Sequence, residues 1–188
     1  MDAEHLGAGV SLVLGLGNSL HSHPEADGIV RLRTPREAEA PIRLEDPAVR
    51  LVTDFLRLHP ASVAEHVSID AALDQMKAAG VRALLVLRDD VVVGLITSYD
   101  IQGERAVRYQ QSANNMRHED VEVGDIMSPW DQVPVMEWRW VMRAHVKDVV
   151  ATFRQFSGSH IVVVEHPRAG ETYVRGVISR SRLSGLGA

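Results

Sequence analysis

The stretch Gly94-Leu-Ile-Thr-Ser-Tyr-Asp-Ile101 has a counterpart near the carboxyl end, Gly176-Val-Ile-Ser-Arg-Ser-Arg-Leu183. Both run glycine, two aliphatics, a hydroxyl residue, two spacers, one further polar residue and one aliphatic. The last polar position differs in kind, Asp100 in the first copy and Arg182 in the second. What precedes each copy matches too. Residues 68–80 place Ile69, Ala72, Leu73, Met76 and Ala79 at helical spacing, with Ser68 as N-cap and Gly80 as stop. Residues 83–87 and 91–96, apolar and rich in β-branched side chains on either side of Asp89-Asp90, read as two strands joined by a turn. The same order returns as a helix over 148–156 with Val149, Val150 and Phe153 inward, then strands over 160–164 and 173–178. A short lead-in stands before each unit, at 49–53 and 123–128.

The chain therefore holds two copies of one unit of about sixty residues, longer than an open solenoid repeat, which points to a paired module. Residues 46–105 and 121–188 are the expected repeats. Between them, 106–120 forms a helical linker around Ala106, Val107, Tyr109 and Gln110, expected to be solvated. Residues 1–45, rich in Pro, Glu, Ala and Arg after position 20, read as an irregular or partly ordered extension.

The 188 residues suffice for a sizeable core without staples, and there is no cysteine. That absence excludes a cysteine nucleophile and a thiolate metal site, and fits a reducing compartment. A formal charge of -5 and a pI near 6.0 argue against nucleic acid as partner, since that affinity needs clustered Lys and Arg. Residues 7–20 are apolar but too short to span a bilayer, and Asp2 and Glu4 are the wrong flank for a secretory signal. The expected location is the cytoplasm, with no membrane partner. The fragment Ser11-Leu-Val-Leu-Gly-Leu-Gly17 begins like a dinucleotide fingerprint but lacks its third glycine. His5, His21 and His23 are the densest histidine group, yet no spacing matches a zinc site, so no metal is expected. Trp130, Trp138 and Trp140 read as packing anchors. Without a nucleophile elbow, a Walker loop or a paired-carboxylate constellation, no catalytic residue and no enzyme activity are expected.

Two tandem units, each with an Asp125-Ile-Met-Ser128 type lead-in and closing in Gly-aliphatic-aliphatic-Thr/Ser-x-x-Asp, resemble a pair of CBS domains, the family named for cystathionine β-synthase. The resemblance runs from about Asp46 to Leu183, and the second copy departs from it at Arg182. It implies an α+β fold, α/β-like in local order, of two β-α-β-β repeats packed as a pseudo-two-fold pair. It further implies a stand-alone regulatory module, usually a homodimer. Such a module binds an adenosine-containing nucleotide (AMP, ADP, ATP or S-adenosylmethionine) between the repeats and signals to a protein partner.

The chemistry suits those positions. A carboxylate at Asp100 can accept from both hydroxyls of a ribose, and Thr97, at the strand-to-helix junction, brings a hydroxyl to the same face beside a helix start that favours phosphate. Thr97-x-x-Asp100 is equally a helix-capping pattern. By the resemblance Val67, Ile69 and the turn Val81-Arg82-Ala83 supply the adenine slot, with Arg82 as phosphate contact or plain surface arginine. Arg182 donates only, so copy two loses the ribose clamp and one adenosine ligand per chain is expected. His160, Ser179, Arg180 and Arg182 there gather donors for a second, anion-holding site, unless Arg182 pairs within a dimer. The rival reading is a ligand-free dimerisation scaffold whose clefts are filled by side chains, Leu84 and Leu85 among them.

Overall fold

The computed structural model describes residues 41–113, 117–184 and 186. The readings placed on residues 1–40, including the glycine-rich fragment and the histidine group, lie outside the described residues.

The first repeat forms as its local chemistry dictates. Helix α1 (Ile69–Ala79) starts where the Ser68 hydroxyl accepts from the Ala71 amide at 3.3 Å. It ends where Gly80 takes the left-handed conformation, φ 65°, which costs a residue without a Cβ little. Strands β3 (Ala83–Arg88) and β4 (Val91–Thr97) are joined by Asp89 and Asp90, both at positive φ, a two-residue turn whose twist matches that of the strands. In the second repeat α6 spans Val146–Phe153, earlier at both ends than its periodicity predicts. The reason is a cap the apolar pattern does not show: the Asp148 carboxylate accepts from the His145 amide at 2.8 Å. Strands β7 (His160–Glu165) and β8 (Tyr173–Ser179) follow, and both hairpins carry a register shift at the same place, Val86/Leu87 and Val163/Val164.

The lead-ins are exchanged. β1 (Thr53–Asp54), from the first lead-in, pairs with β8, while β5 (Ser128–Pro129), from the second, pairs with β4. With the short parallel strands β2 (Ser62–Ala64) and β6 (Val135–Glu137), this gives two four-stranded sheets, β2-β3-β4-β5 and β1-β8-β7-β6. Each sheet thus ends in a strand from the other repeat. The helix starts are exchanged in the same sense: the Ile69 amide donates to the Val121 carbonyl, and the Val146 amide to that of Asp46.

Strand alternation sorts the core into three parts. Leu84, Val86 and Ile96 face α1, and Ile161, Val163 and Ile178 face α6. The opposite faces meet as Leu85, Leu95, Val162 and Val164 in a cluster fed by both sheets, so the repeats pack sheet against sheet. The connector is less solvated than its composition predicts. After α2 (Ser98–Gln102), helix α3 (Glu104–Ser112) buries Ala106, and its Tyr109 hydroxyl donates to Asp125 at 2.7 Å, on α4 (Val123–Ile126). Among the described residues, contacts with the core begin at Ile42 and the Leu44 carbonyl, which accepts from the Lys147 amide, a few residues before the expected boundary. Of the tryptophans, Trp130 and Trp138 pack against core clusters. Trp140, on α5 (Trp138–Val141), is 39% exposed and belongs to no core cluster. No described helix is long and apolar enough to cross a membrane.

Candidate functional site

Matching ladder positions make Thr97 the counterpart of Ser179, since Ala83 pairs with Thr97 and His160 with Ser179. Asp100 and Arg182 are therefore equivalent, and so are Arg82 and Ser159. Two clefts flank the shared cluster, and each is built from both repeats. The first, about 450 Å³, joins the Val81-Arg82-Ala83 turn of repeat one to Ser179, Ser181 and Arg182 of repeat two. The second, about 400 Å³, joins Thr97, Tyr99 and Asp100 of repeat one to the Ser157-Gly158-Ser159 turn of repeat two. Both fall in the size range of small-molecule sites. The exchange of the lead-ins is what brings each closing motif against the other repeat's turn.

This arrangement divides the residues grouped by sequence. Thr97 and Asp100 line the second cleft, whereas Arg82 and Ala83 line the first. Val67 and Ile69 line neither: Ile69 is fully buried between α1 and its sheet, on the face away from the shared cluster, and Val67 packs beside it. In the anion group His160, Ser179 and Arg182 do converge on the first cleft. Arg180 does not. Its Nη2 donates to the carbonyls of Phe153 (2.8 Å), Phe156 (2.6 Å) and Gly158 (2.9 Å), and its Cζ lies 4.9 Å from the Phe153 ring centroid. It closes the C-terminal end of α6, where the last carbonyls need donors.

Asp100 comes to its cleft already engaged. Its Oδ2 accepts from the Thr97 amide (2.8 Å) and hydroxyl (2.7 Å), and its own amide donates back to Thr97 Oγ1 at 3.3 Å. The pair is a capping box on α2. Oδ1 accepts from Arg105 at 3.1 Å, and Arg105 is anchored besides on the Ile126 carbonyl and the Ser128 hydroxyl. A carboxylate has about four acceptor sites, so one remains on Oδ1. The expected phosphate attraction of the helix start finds no support: α2 has five residues, too short for a useful dipole, and Asp100 puts a negative charge in its first turn.

Leu95 and His160 line both clefts, a sharing that no sequence pattern shows. His160 is 7% exposed, its Nδ1 2.8 Å from the Ser159 hydroxyl. Burial, followed by the nearby Arg82 charge and against the pull of Asp100, lowers its pKa from 6.5 to about 4. The unfolded chain takes up this proton as pH falls through 6.5 and the folded chain does so only near 4, so stability drops with falling pH across that window. At pH 5 the loss relative to pH 7.5 amounts to about 2 kcal/mol. Urea unfolding of wild type and His160→Gln at the two pH values should show this loss in the wild type alone; parallel pH profiles would refute the assignment.

The sequence model of the CBS domain family matches residues 52–106. No curated protein matches the chain. Among solved structures, an uncharacterized conserved protein from Pyrococcus horikoshii is similar at 20% identity, over 76% of this chain and 92% of that one, TM-score 0.53. CBSX2, the CBS-pair protein of Arabidopsis thaliana, in complex with AMP, is similar at 19% identity, over 73% and 93%, TM-score 0.52. At such identities the likeness establishes the fold, and that fold extends across both repeats. Residues 52–106 thus match the CBS domain family by sequence, and the second copy repeats the same strands, helix and exchanged lead-in, so the chain has the fold of a CBS pair.

Proposed function

We propose that the chain is a ligand-sensing regulatory module whose second cleft holds an adenosine nucleotide and whose state is read by a protein partner. The observation that carries this reading is the Asp100 carboxylate, with an acceptor site left on Oδ1, at a cleft whose opposite wall is the Ser157-Gly158-Ser159 turn. Leu95, Val133 and Pro134 add the apolar surface that a flat base requires. The AMP complex of a protein of the same fold supports the class of ligand. The open clefts speak against the scaffold alternative: Leu84 turns into the helix-side core and Leu85 forms only one wall of the first cleft. A homodimer belongs to the same reading, supported by the apolar side chains that α2, α3 and α5 leave exposed, Tyr99, Val107 and Trp140. The module carries no chemistry of its own in this reading, and acts in the cytoplasm.

A thermal-shift screen with AMP, ADP, ATP and S-adenosylmethionine tests it, because a ligand that binds only the folded state raises the melting temperature by mass action. Asp100→Ala should then weaken the responding ligand about tenfold, one hydrogen bond to a charged acceptor and not two. No shift with any of the four nucleotides leaves the scaffold reading in possession.

A further inference from the structure

We propose that the first cleft is an anion site: it takes a phosphate-bearing ligand with an apolar body, held between Arg82 and Arg182, without recognising a ribose. The two guanidiniums belong to different repeats, yet they line one cavity of about 450 Å³. His59 and His160 line it too, and no aspartate or glutamate does. Neither arginine has an ion-pair partner among the described residues. Arg182 reaches only the Thr53 hydroxyl, at 3.4 Å. Elsewhere Arg88, Arg105, Arg108, Arg117, Arg139 and Arg175 each stand beside a carboxylate.

The pseudo-symmetry sharpens the contrast. Where the second cleft places Asp100, the first places Arg182, and where the second places Ser159, the first places Arg82. One exchange removes the acceptor that a diol needs, and the other adds a second cation. Two like charges over one cavity repel, and an oxyanion between them replaces that repulsion with charge-assisted, bidentate hydrogen bonds. Below the cationic mouth the walls are apolar: Phe55, Val81, Leu85, Leu95 and Val177. A cationic rim over an apolar floor fits an anion carried on an apolar body better than a free inorganic ion. The hydroxyls of Thr53, Ser179 and Ser181 provide further donors at the rim.

This site stands whether or not the second cleft binds a nucleotide, and calorimetric titration of the full chain with phenyl phosphate tests it separately. One site per chain is expected. Arg82→Gln and Arg182→Gln should each weaken it about tenfold, while Asp100→Ala leaves it within about twofold and adenosine does not displace the probe. Both arginines are exposed, so these variants should keep the wild-type melting temperature. Absence of saturation at millimolar phenyl phosphate, affinity indifferent to both arginine variants, or displacement by adenosine would each overturn the assignment. Arginine-dependent phenyl phosphate binding in a protein that ignores all adenosine nucleotides would sink the nucleotide reading and leave the anion site standing.

Discussion

Gly176→Ala and Gly94→Ala are each expected to lower the stability of the fold by about 3 kcal/mol, the upper end for forcing an atom into a packed site. A Cβ on Gly176 would lie 2.4 Å from the Thr53 carbonyl oxygen and 2.7 Å from Val52 Cγ1. One on Gly94 would lie 2.5 Å from the Ser128 carbonyl oxygen and 2.8 Å from Met127 Sδ. The nearest obstacle in both cases is backbone, and it belongs to the strand that each repeat lends to the other, β1 against β8 and β5 against β4. Neither carbonyl can retreat without opening that pairing. The glycine that begins each closing motif is thus the seat of the exchanged strand, which explains why both copies keep it although their polar positions diverge. Gly80→Ala is the comparison: its Cβ meets nothing within 4 Å, and only the left-handed φ of 65° opposes it, at about 1–2 kcal/mol. Urea unfolding of the three variants separates the two causes. Losses under 1 kcal/mol at both Gly94 and Gly176 would show that the straps yield easily and do not hold the repeats together.

The parts of this molecule written locally were legible in the sequence, and the parts made by exchange were not. Ser68 and Gly80 announce α1, and Asp89-Asp90 announces a tight hairpin, because a cap or a turn needs only its own neighbours. The repeat itself was visible because the order of helix, strand, turn and strand recurs. Which turn faces which closing motif depends on contacts far apart in the chain, and no periodicity encodes them. Reading each repeat as a self-contained site therefore put Asp100 with Arg82, whereas the fold puts Asp100 with Ser159 and Arg82 with Arg182. A trace of the exchange was present: a glycine ahead of two aliphatics in a strand marks close backbone approach, and here the approaching backbone comes from the other repeat. Arg180 was misread for a related reason. Two arginines with one residue between them look like one basic group, but they leave the chain on different sides, one toward the carbonyls of α6 beside the second cleft and one toward the first cleft. His160 belongs to the anion group by sequence, but its place at both clefts shows only in the fold, since that comes from lying where the two meet.

Arg175→Met is expected to cost about 3 kcal/mol, and to do so on one strap only. Arg175, on β8, donates Nε and Nη2 to the two oxygens of Asp54 on β1, at 2.9 and 3.1 Å, and Nη1 to Glu165 at 3.0 Å. Its Cζ lies 4.2 Å from the ring centroid of Trp138. The Arg175 and Asp54 side chains are only 15% and 18% exposed, so removing the guanidinium strands two poorly hydrated carboxylates beside each other. Breaking a buried pair from one side costs roughly 3–5 kcal/mol, and the residual hydration here favours the lower figure. On the other strap the equivalent positions are Val93 and Pro129, and no clasp exists there. Adding Asp54→Asn to Arg175→Met should recover part of the loss, since it removes one of the stranded charges. The pH window distinguishes this clasp from His160. The Arg175 hydrogen bond holds the Asp54 carboxyl below its ordinary value of 3.8, so its contribution is present above that value and is lost only as pH falls through the lower folded one. At pH 5 the clasp is intact while the buried imidazole already opposes folding, so Arg175→Met and His160→Gln should differ in how stability changes between pH 7.5 and 5. Urea unfolding at the two pH values decides it. A loss below 0.5 kcal/mol in Arg175→Met at pH 7.5 would show that the β1 strap is held by its main-chain pairing alone.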